Sequence, residues 1–154
     1  MRVHLLGTGT VHPTPGRASA GFAVETAGTV HGFDLGRGVL NRWAEAGLEP
    51  LSLRWLHLSH LHPDHCCDLV PLLFALNYAC DPPRQEALTI TAPEGLEALL
   101  QDLRRAWRWL RPRFPLHLRE TGPGRFVEGG ATLTTALLDH GETPNLGFRI
   151  EAEG

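Results

Sequence analysis

The sequence predicts an α/β or α+β fold built on mixed sheets, and three observations predict it. Short apolar runs of strand length alternate irregularly with segments of helical period, as in a layered mixed fold. Glycine and proline clusters punctuate those runs. At 154 residues, with 42% hydrophobic content, residues 1–154 suit one domain with a substantial core. No repeat, low-complexity stretch or interdomain linker interrupts it.

Arg2 to Leu6 reads as a short strand stopped by Gly7-Thr8-Gly9-Thr10, and Val11 to Arg17 as a loop carrying Pro13, Pro15 and Gly16. Gly21 to Thr26 and Thr29 to Asp34 form a strand pair turned at Ala27-Gly28. Gly36 to Ala46 has helical spacing through Val39, Leu40 and Trp43, with Gly47 just past its end. Leu53 to Ser59 is a largely apolar strand. Asp68 to Ala79 is a buried helix with Leu69, Leu72, Leu73 and Leu76 at core spacing, and Pro71 is tolerable in its first turn. After the strand Ala87 to Ala92, Pro93 opens a helix running to about Leu110, which Pro112 and Pro115 stop. Leu116 to Leu118, Arg125 to Val127, Ala131 to Leu138 and Leu146 to Ile150 complete the strands. Gly122-Pro123-Gly124 and Gly129-Gly130 supply turns between them.

No apolar run approaches the roughly 18 residues that span a bilayer, and nothing resembles a signal peptide, so no membrane role and a cytoplasmic location are expected. Cys66, Cys67 and Cys80 form no CxxC pair and read as thiols packed on a helix rather than as zinc ligands. The chain has no lysine, and its net charge of −3 gives no global attraction to nucleic acid. Locally the balance reverses. Between Arg104 and Arg125 stand seven arginines against Glu120 alone, interleaved with Trp107, Trp109 and Phe114. This pattern fits a phosphate-contacting surface with stacking residues. The plainer reading, an amphipathic helix with a solvated arginine face and its tryptophans in the core, is preferred.

The most informative stretch is Ser59-His60-Leu61-His62-Pro63-Asp64-His65, with four potential metal ligands inside six residues. Imidazole and carboxylate together suit Zn2+, or Mn2+ or Fe2+. In an extended segment His60 and His62 point the same way and can grip one ion. Pro63 turns the chain, so Asp64 and His65 can aim at a second ion beside the first. His140 stands where the apolar strand of Leu137-Leu138 gives way to a loop with Gly141, Pro144 and Asn145. With His60 and His62 it would complete a three-histidine site with its fourth position open. His57 should point away from this cluster. His4, His31 and His117 read as partly buried or surface residues, and His12 is a weaker candidate in its loop.

The HxHxDH cluster at 60–65, the Asp34-Leu35-Gly36 turn and His140 resemble the metallo-β-lactamase superfamily. The opening Leu6-Gly7-Thr8-Gly9, the segment Pro13 to Arg17 and the ending Asp139 to Ile150 resemble its ribonuclease Z-like branch. The resemblance covers essentially the whole chain, in order. It implies an αββα sandwich, here incomplete in its second half, so that the chain looks like the amino-terminal portion of the family domain. It further implies that His60, His62 and His140 hold one metal and that Asp64 and His65 belong to a second. Asp34 would either hydrogen-bond a ligand or stabilise its own turn. The bridging aspartate and final histidine of the family have no candidate position before Gly154. Apolar faces and strand edges would then be left for self-association or a partner chain to cover.

The activity so implied is that of a metal-dependent hydrolase, first of all a ribonuclease Z-like phosphodiesterase acting on RNA ends, with Asp64 holding the attacking water or accepting its proton. A thioester, lactone or other ester hydrolase of the same fold is the nearest rival, since fold alone does not select chemistry. A truncated metal-binding domain with little catalysis is the third reading. Arginines from Arg104 to Arg125 lining the metal cleft would favour a phosphate substrate; arginines facing away would favour the ester.

Overall fold

Residues 1–26 and 28–152 are described in the computed structural model, so the expected turn at Ala27-Gly28 falls, at Ala27, outside the described residues. The chain first makes an antiparallel meander of β1 (Arg2–Gly7), β2 (Gly21–Thr26) and β3 (Thr29–Phe33). Three parallel strands then extend the same sheet, β4 (Trp55–His57), β5 (Leu88–Ala92) and β6 (Leu116–Glu120), in the order β1-β2-β3-β4-β5-β6. Parallel neighbours need long crossovers. These are supplied by α1 (Val39–Glu45), by α2 (Pro63–Cys66) with α3 (Leu69–Tyr78), and by α4 (Leu96–Ala106). A smaller antiparallel sheet follows, β7 (Gly124–Glu128), β8 (Ala131–Leu137) and β9 (Leu146–Glu151).

The two sides of the large sheet bury different partners. Leu56, Leu88 and Ile90 pack with Trp43 of α1, Leu72, Leu73 and Leu76 of α3 and Leu96 and Leu100 of α4 in one core. On the other side Val24 and Phe33 meet Ala131 and Leu133 of the small sheet, flanked by Phe22, Phe126 and Phe148. The layers therefore run helices, large sheet, small sheet. Among the described residues no helix follows Leu110, and Val127 and Leu137 of the small sheet are exposed. Val3 and Leu5 on the edge strand β1 are exposed as well. These uncovered apolar side chains match the expected incomplete sandwich.

The alternation of β3 to β6 brings Phe33, His57, Thr91 and Arg119 side by side across the strands. Phe33 and His57 contact Phe148 of the small sheet, and Arg119 pairs with Glu128 of β7 at 2.8 Å. His31 lies one step back on β3, its Nδ1 3.1 Å from His57 Nε2. Both histidines are wholly buried, and among the described residues His31 Nε2 and His57 Nδ1 have no hydrogen-bond partner. His31 was expected to be partly buried or at the surface; a second sheet lying on that side of β3 removes it from water. Burial pushes the His31 ring down to about 4 and, with His31 and Arg119 nearby, His57 to about 3.

Two helices differ from their sequence outlines. The segment Gly36 to Val39 is a tight turn with Gly38 left-handed, so α1 starts at Val39. The long helix expected to reach Leu110 ends at Ala106, because Trp107 adopts an extended conformation, and a separate 3-10 turn covers Arg108–Leu110. The core at this corner is filled by Leu110 and Phe114, leaving Trp107 48% and Trp109 63% exposed. The expectation that the tryptophans lie in the core is thus wrong: the break in the helix shifts them out of its apolar phase. The three cysteines are free; Cys66 is buried, and burial pushes its thiol up to about 12.

Candidate metal centre

The ligand cluster sits where parallel strands end, the usual place for chemistry in an open α/β sheet. Asp34 follows β3 directly, Ser59 and His60 follow β4, and His140 follows β8 from the opposite sheet. The loop bearing His140 is closed by the Leu138 amide on the Asn145 carbonyl (2.9 Å), and the Leu146 amide donates to Ser59 O at 2.8 Å. That last bond fastens the small sheet to the ligand segment.

His60, His62 and His140 each offer a ring nitrogen, and the three nitrogens lie within 4.8 Å of one another. His140 Nε2 is 3.3 Å from His62 Nδ1. Two nitrogens on one tetrahedral zinc, at about 2.0–2.1 Å each, stand about 3.4 Å apart, so this spacing fits a shared ion. The opposite nitrogen of His62 lies 3.3 Å from the Thr143 hydroxyl. With Nε2–H donating there, the lone pair of Nδ1 faces inwards.

Asp34 organises the other rings. Its carboxylate accepts from the Ser59 amide (2.7 Å), the Ser59 hydroxyl (2.9 Å) and His65 Nδ1 (2.7 Å). Having donated its proton to Asp34, Ser59 Oγ can accept from His60 Nδ1 at 3.0 Å. His60 and His65 are therefore both protonated on Nδ1, leaving Nε2 free as an acceptor. His65 Nε2 lies 3.8 Å from an Asp64 oxygen, so these two residues stand together beside the three-histidine group. Burial, with His65 next, pushes His60 down to about 4, so its ring is neutral at physiological pH and available as a ligand. Burial works against charge on His65 too, but its hydrogen bond to Asp34 and the Asp34 and Asp64 carboxylates outweigh it and raise its pKa.

The bonds of Asp34 thus go to Ser59 and His65 rather than into its own turn. Asp34 pays a conformational penalty for this position: among the described residues it is the non-glycine residue with positive φ, 56°. The turn is held by Asp34 N on His57 O (2.9 Å), Leu35 N on His65 O (2.7 Å) and Asp68 N on Leu35 O (3.0 Å). Gly36 is required here, since a Cβ would lie 2.0 Å from the Asp64 carbonyl oxygen. Substituting Asp34→Asn is expected to weaken metal affinity about 10- to 100-fold, because the amide cannot accept from both Ser59 and His65. Competition with a chromogenic chelator measures it, and undiminished affinity would locate control of the rings elsewhere.

Sequence reasoning gave no role to Ser59 or Thr143, although both stand beside the histidines in the chain. His12 is exposed and lies outside the three-histidine group, and His57 faces the small sheet. The arginine groove is also separate. Arg104, Arg105, Arg108 and Arg111 line it together with Gln101 and Pro112, and no residue of the metal centre does. A second hollow, of about 280 Å³, is lined by Pro93, Glu94, Glu120, Thr121, Gly122, Leu137 and Pro144, again without a residue of the metal centre and with no cation among them.

Ribonuclease Z of Mycobacterium bovis (strain BCG / Pasteur 1173P2) is 32% identical over 171 residues, covering 100% of this chain; the chain spans 60% of that relative's length. The short form of human tRNase Z superposes with a TM-score of 0.81 at 20% identity, over 99% of this chain and 65% of that one. The metallo-β-lactamase fold protein YhfI from Bacillus subtilis superposes with a TM-score of 0.78 at 21% identity, over 97% of this chain and 56% of that one. No protein-family model matches this chain.

Proposed function

From a chain that has the metallo-β-lactamase fold and is similar to ribonuclease Z along its whole length, we propose a metal-dependent phosphodiesterase that cuts RNA in the manner of a ribonuclease Z-like endoribonuclease. The observation that carries it is the convergence of His60, His62 and His140, with free lone pairs set by Ser59 and Thr143. Three imidazole nitrogens and an open position suit Zn2+ better than a hard ion that prefers all-oxygen ligands, while Mn2+ or Fe2+ would also be accepted. Once bound, such an ion lowers the pKa of a coordinated water from about 15.7 towards 7 and takes up charge building on a phosphoryl oxygen.

The protein's own residues orient and exchange protons. Asp64 lies beside His65, its carboxylate 3.8 Å from His65 Nε2, and would hold the attacking water and accept its proton. His65, fixed by Asp34, and Asp64 supply two donors towards a second ion, whose further ligands come from additional sequence or a partner chain. The same partner would cover Val3, Leu5 and Leu137. A homo-oligomer is one way to provide it.

A second reading is favoured by one observation: the arginines that could clamp a phosphate line a groove that includes no residue of the metal centre. A thioester, lactone or other ester needs no cationic clamp there. Both are tested with the Zn2+-loaded protein against bis(p-nitrophenyl) phosphate, an RNA with a 3′ extension, and a thioester. Cleavage of the phosphodiesters that is lost in Asp64→Ala supports the proposal. Turnover of the thioester alone moves the assignment to the ester class, and no turnover by a metal-loaded chain leaves a metal-binding domain.

A further inference from the structure

The proposed chemistry leaves the arginine cluster at the far end of α4 unused. Four arginines, Arg104, Arg105, Arg108 and Arg111, border one open groove of about 670 Å³ with no carboxylate among its lining residues. Asp102, one turn away, pairs with Arg105 at 2.8 Å on the exposed surface, while Arg104 Nε is buried without a hydrogen-bond partner among the described residues. Such a concentration of positive charge on a chain of net charge −3 is a local field, not a global one.

Aromatic rings accompany the arginines along the chain, outside the groove's own lining. Trp107 and Trp109 are interleaved with these arginines and are largely exposed, which is unusual for residues so costly to leave in water. The segment is also held in place. Asn77 of α3, nearly buried, donates to the carbonyls of Trp109 and Arg111 at 3.0 Å each and accepts from the Arg113 amide at 2.8 Å. Arg113 in turn lies 4.4 Å over the Tyr78 ring. The backbone of this segment is therefore fixed before any partner arrives, and only side chains remain to be ordered on binding.

Its location matters. Gly95, at the start of α4, lies against Leu61 of the ligand segment, and the helix's 11 residues carry the chain about 15 Å from there to the arginines. We propose that this groove binds a single-stranded stretch of nucleic acid, its phosphates on Arg104, Arg105, Arg108 and Arg111 and its bases stacked on Trp107 and Trp109. Phosphate alone would make the exposed indoles superfluous. A duplex would keep its base faces from them. The groove would hold a part of the strand remote from the metal centre, and it does so whatever that centre cleaves.

The test is binding of a fluorescein-labelled 12-mer oligouridylate to the full chain in chelator, read by anisotropy, by tryptophan quenching and by salt dependence. Chelator separates this result from hydrolysis, so either proposal can fail alone. Four neutralised phosphates predict a slope of log K against log salt near about −3, falling to about −1.5 in the double variant Arg108→Ala/Arg111→Ala. The charge-keeping Arg108→Lys/Arg111→Lys variant is expected to retain the slope. Trp107→Leu/Trp109→Leu is expected to weaken binding at least about 10-fold with the slope unchanged. Absence of binding, binding indifferent to both sets of variants, or equal binding of inorganic polyphosphate without tryptophan quenching would each overturn the assignment.

Discussion

Replacing His62 by alanine is expected to strip the purified chain of bound metal, as read by plasma mass spectrometry after exhaustive dialysis. His62 uses both ring nitrogens, Nδ1 towards His140 and Nε2 towards Thr143. Its loss therefore leaves two histidines and releases the loop residue that positions one edge of the site. Loss of a residue that only orients a ligand costs about 10- to 100-fold in affinity, and loss of the ligand itself must exceed that. His12→Ala, in an exposed loop outside the cluster, should retain the wild-type content. Wild-type retention by His62→Ala would refute the three-histidine site. Close to two ions per wild-type chain would mean that Asp64 and His65 find their missing ligands in another subunit.

The second large effect is on acid stability. His31 and His57 lie between the sheets with their folded pKa values pushed down to about 4 and about 3 by burial. The unfolded chain takes up protons on both near pH 6.5 while the folded chain does not. Stability is therefore complete above pH 6.5 and is lost as pH falls towards the folded values, with a slope of about 1.4 kcal/mol per pH unit for each histidine. Glu128, raised by burial despite Arg119, has the opposite sign, because its folded form holds a proton to higher pH. Urea unfolding of the metal-free protein between pH 7 and 4.5 should show the falling limb, and His31→Gln should flatten it by about one histidine's share. A wild-type profile flat over that range would mean that water reaches the pair.

The histidine cluster was legible because its members are neighbours in the chain: spacing alone puts His60 and His62 on one side and turns Asp64 away at Pro63. His140 was legible from its strand end. The Asp34–Ser59–His65 network was only half legible, since it depends on β3 and β4 lying parallel in one register, Phe33 against His57, which no local pattern states. The same register sets the buried His57 and Thr91 in a row with the half-buried Arg119, so polar residues that alternate like a solvent face turned out to line a sheet interface. At Trp107 local pattern misled. Four leucines from Leu96 to Leu103 set a helical phase that the tryptophans seemed to continue, but one extended residue reset it.

The donors of the three-histidine site come from both sheets: His60 and His62 from the loop after β4, His140 from the loop after β8. An ion held there is a rivet through the sandwich as well as a reagent, and its binding energy becomes energy of closing one sheet on the other. The Leu146–Ser59 backbone bond is the hinge pin beside it. Metal capture and the docking of the small sheet would then share a single equilibrium: a chain whose sheets have drifted apart has no complete three-histidine group, and a chain that has captured metal has already chosen how its two halves meet.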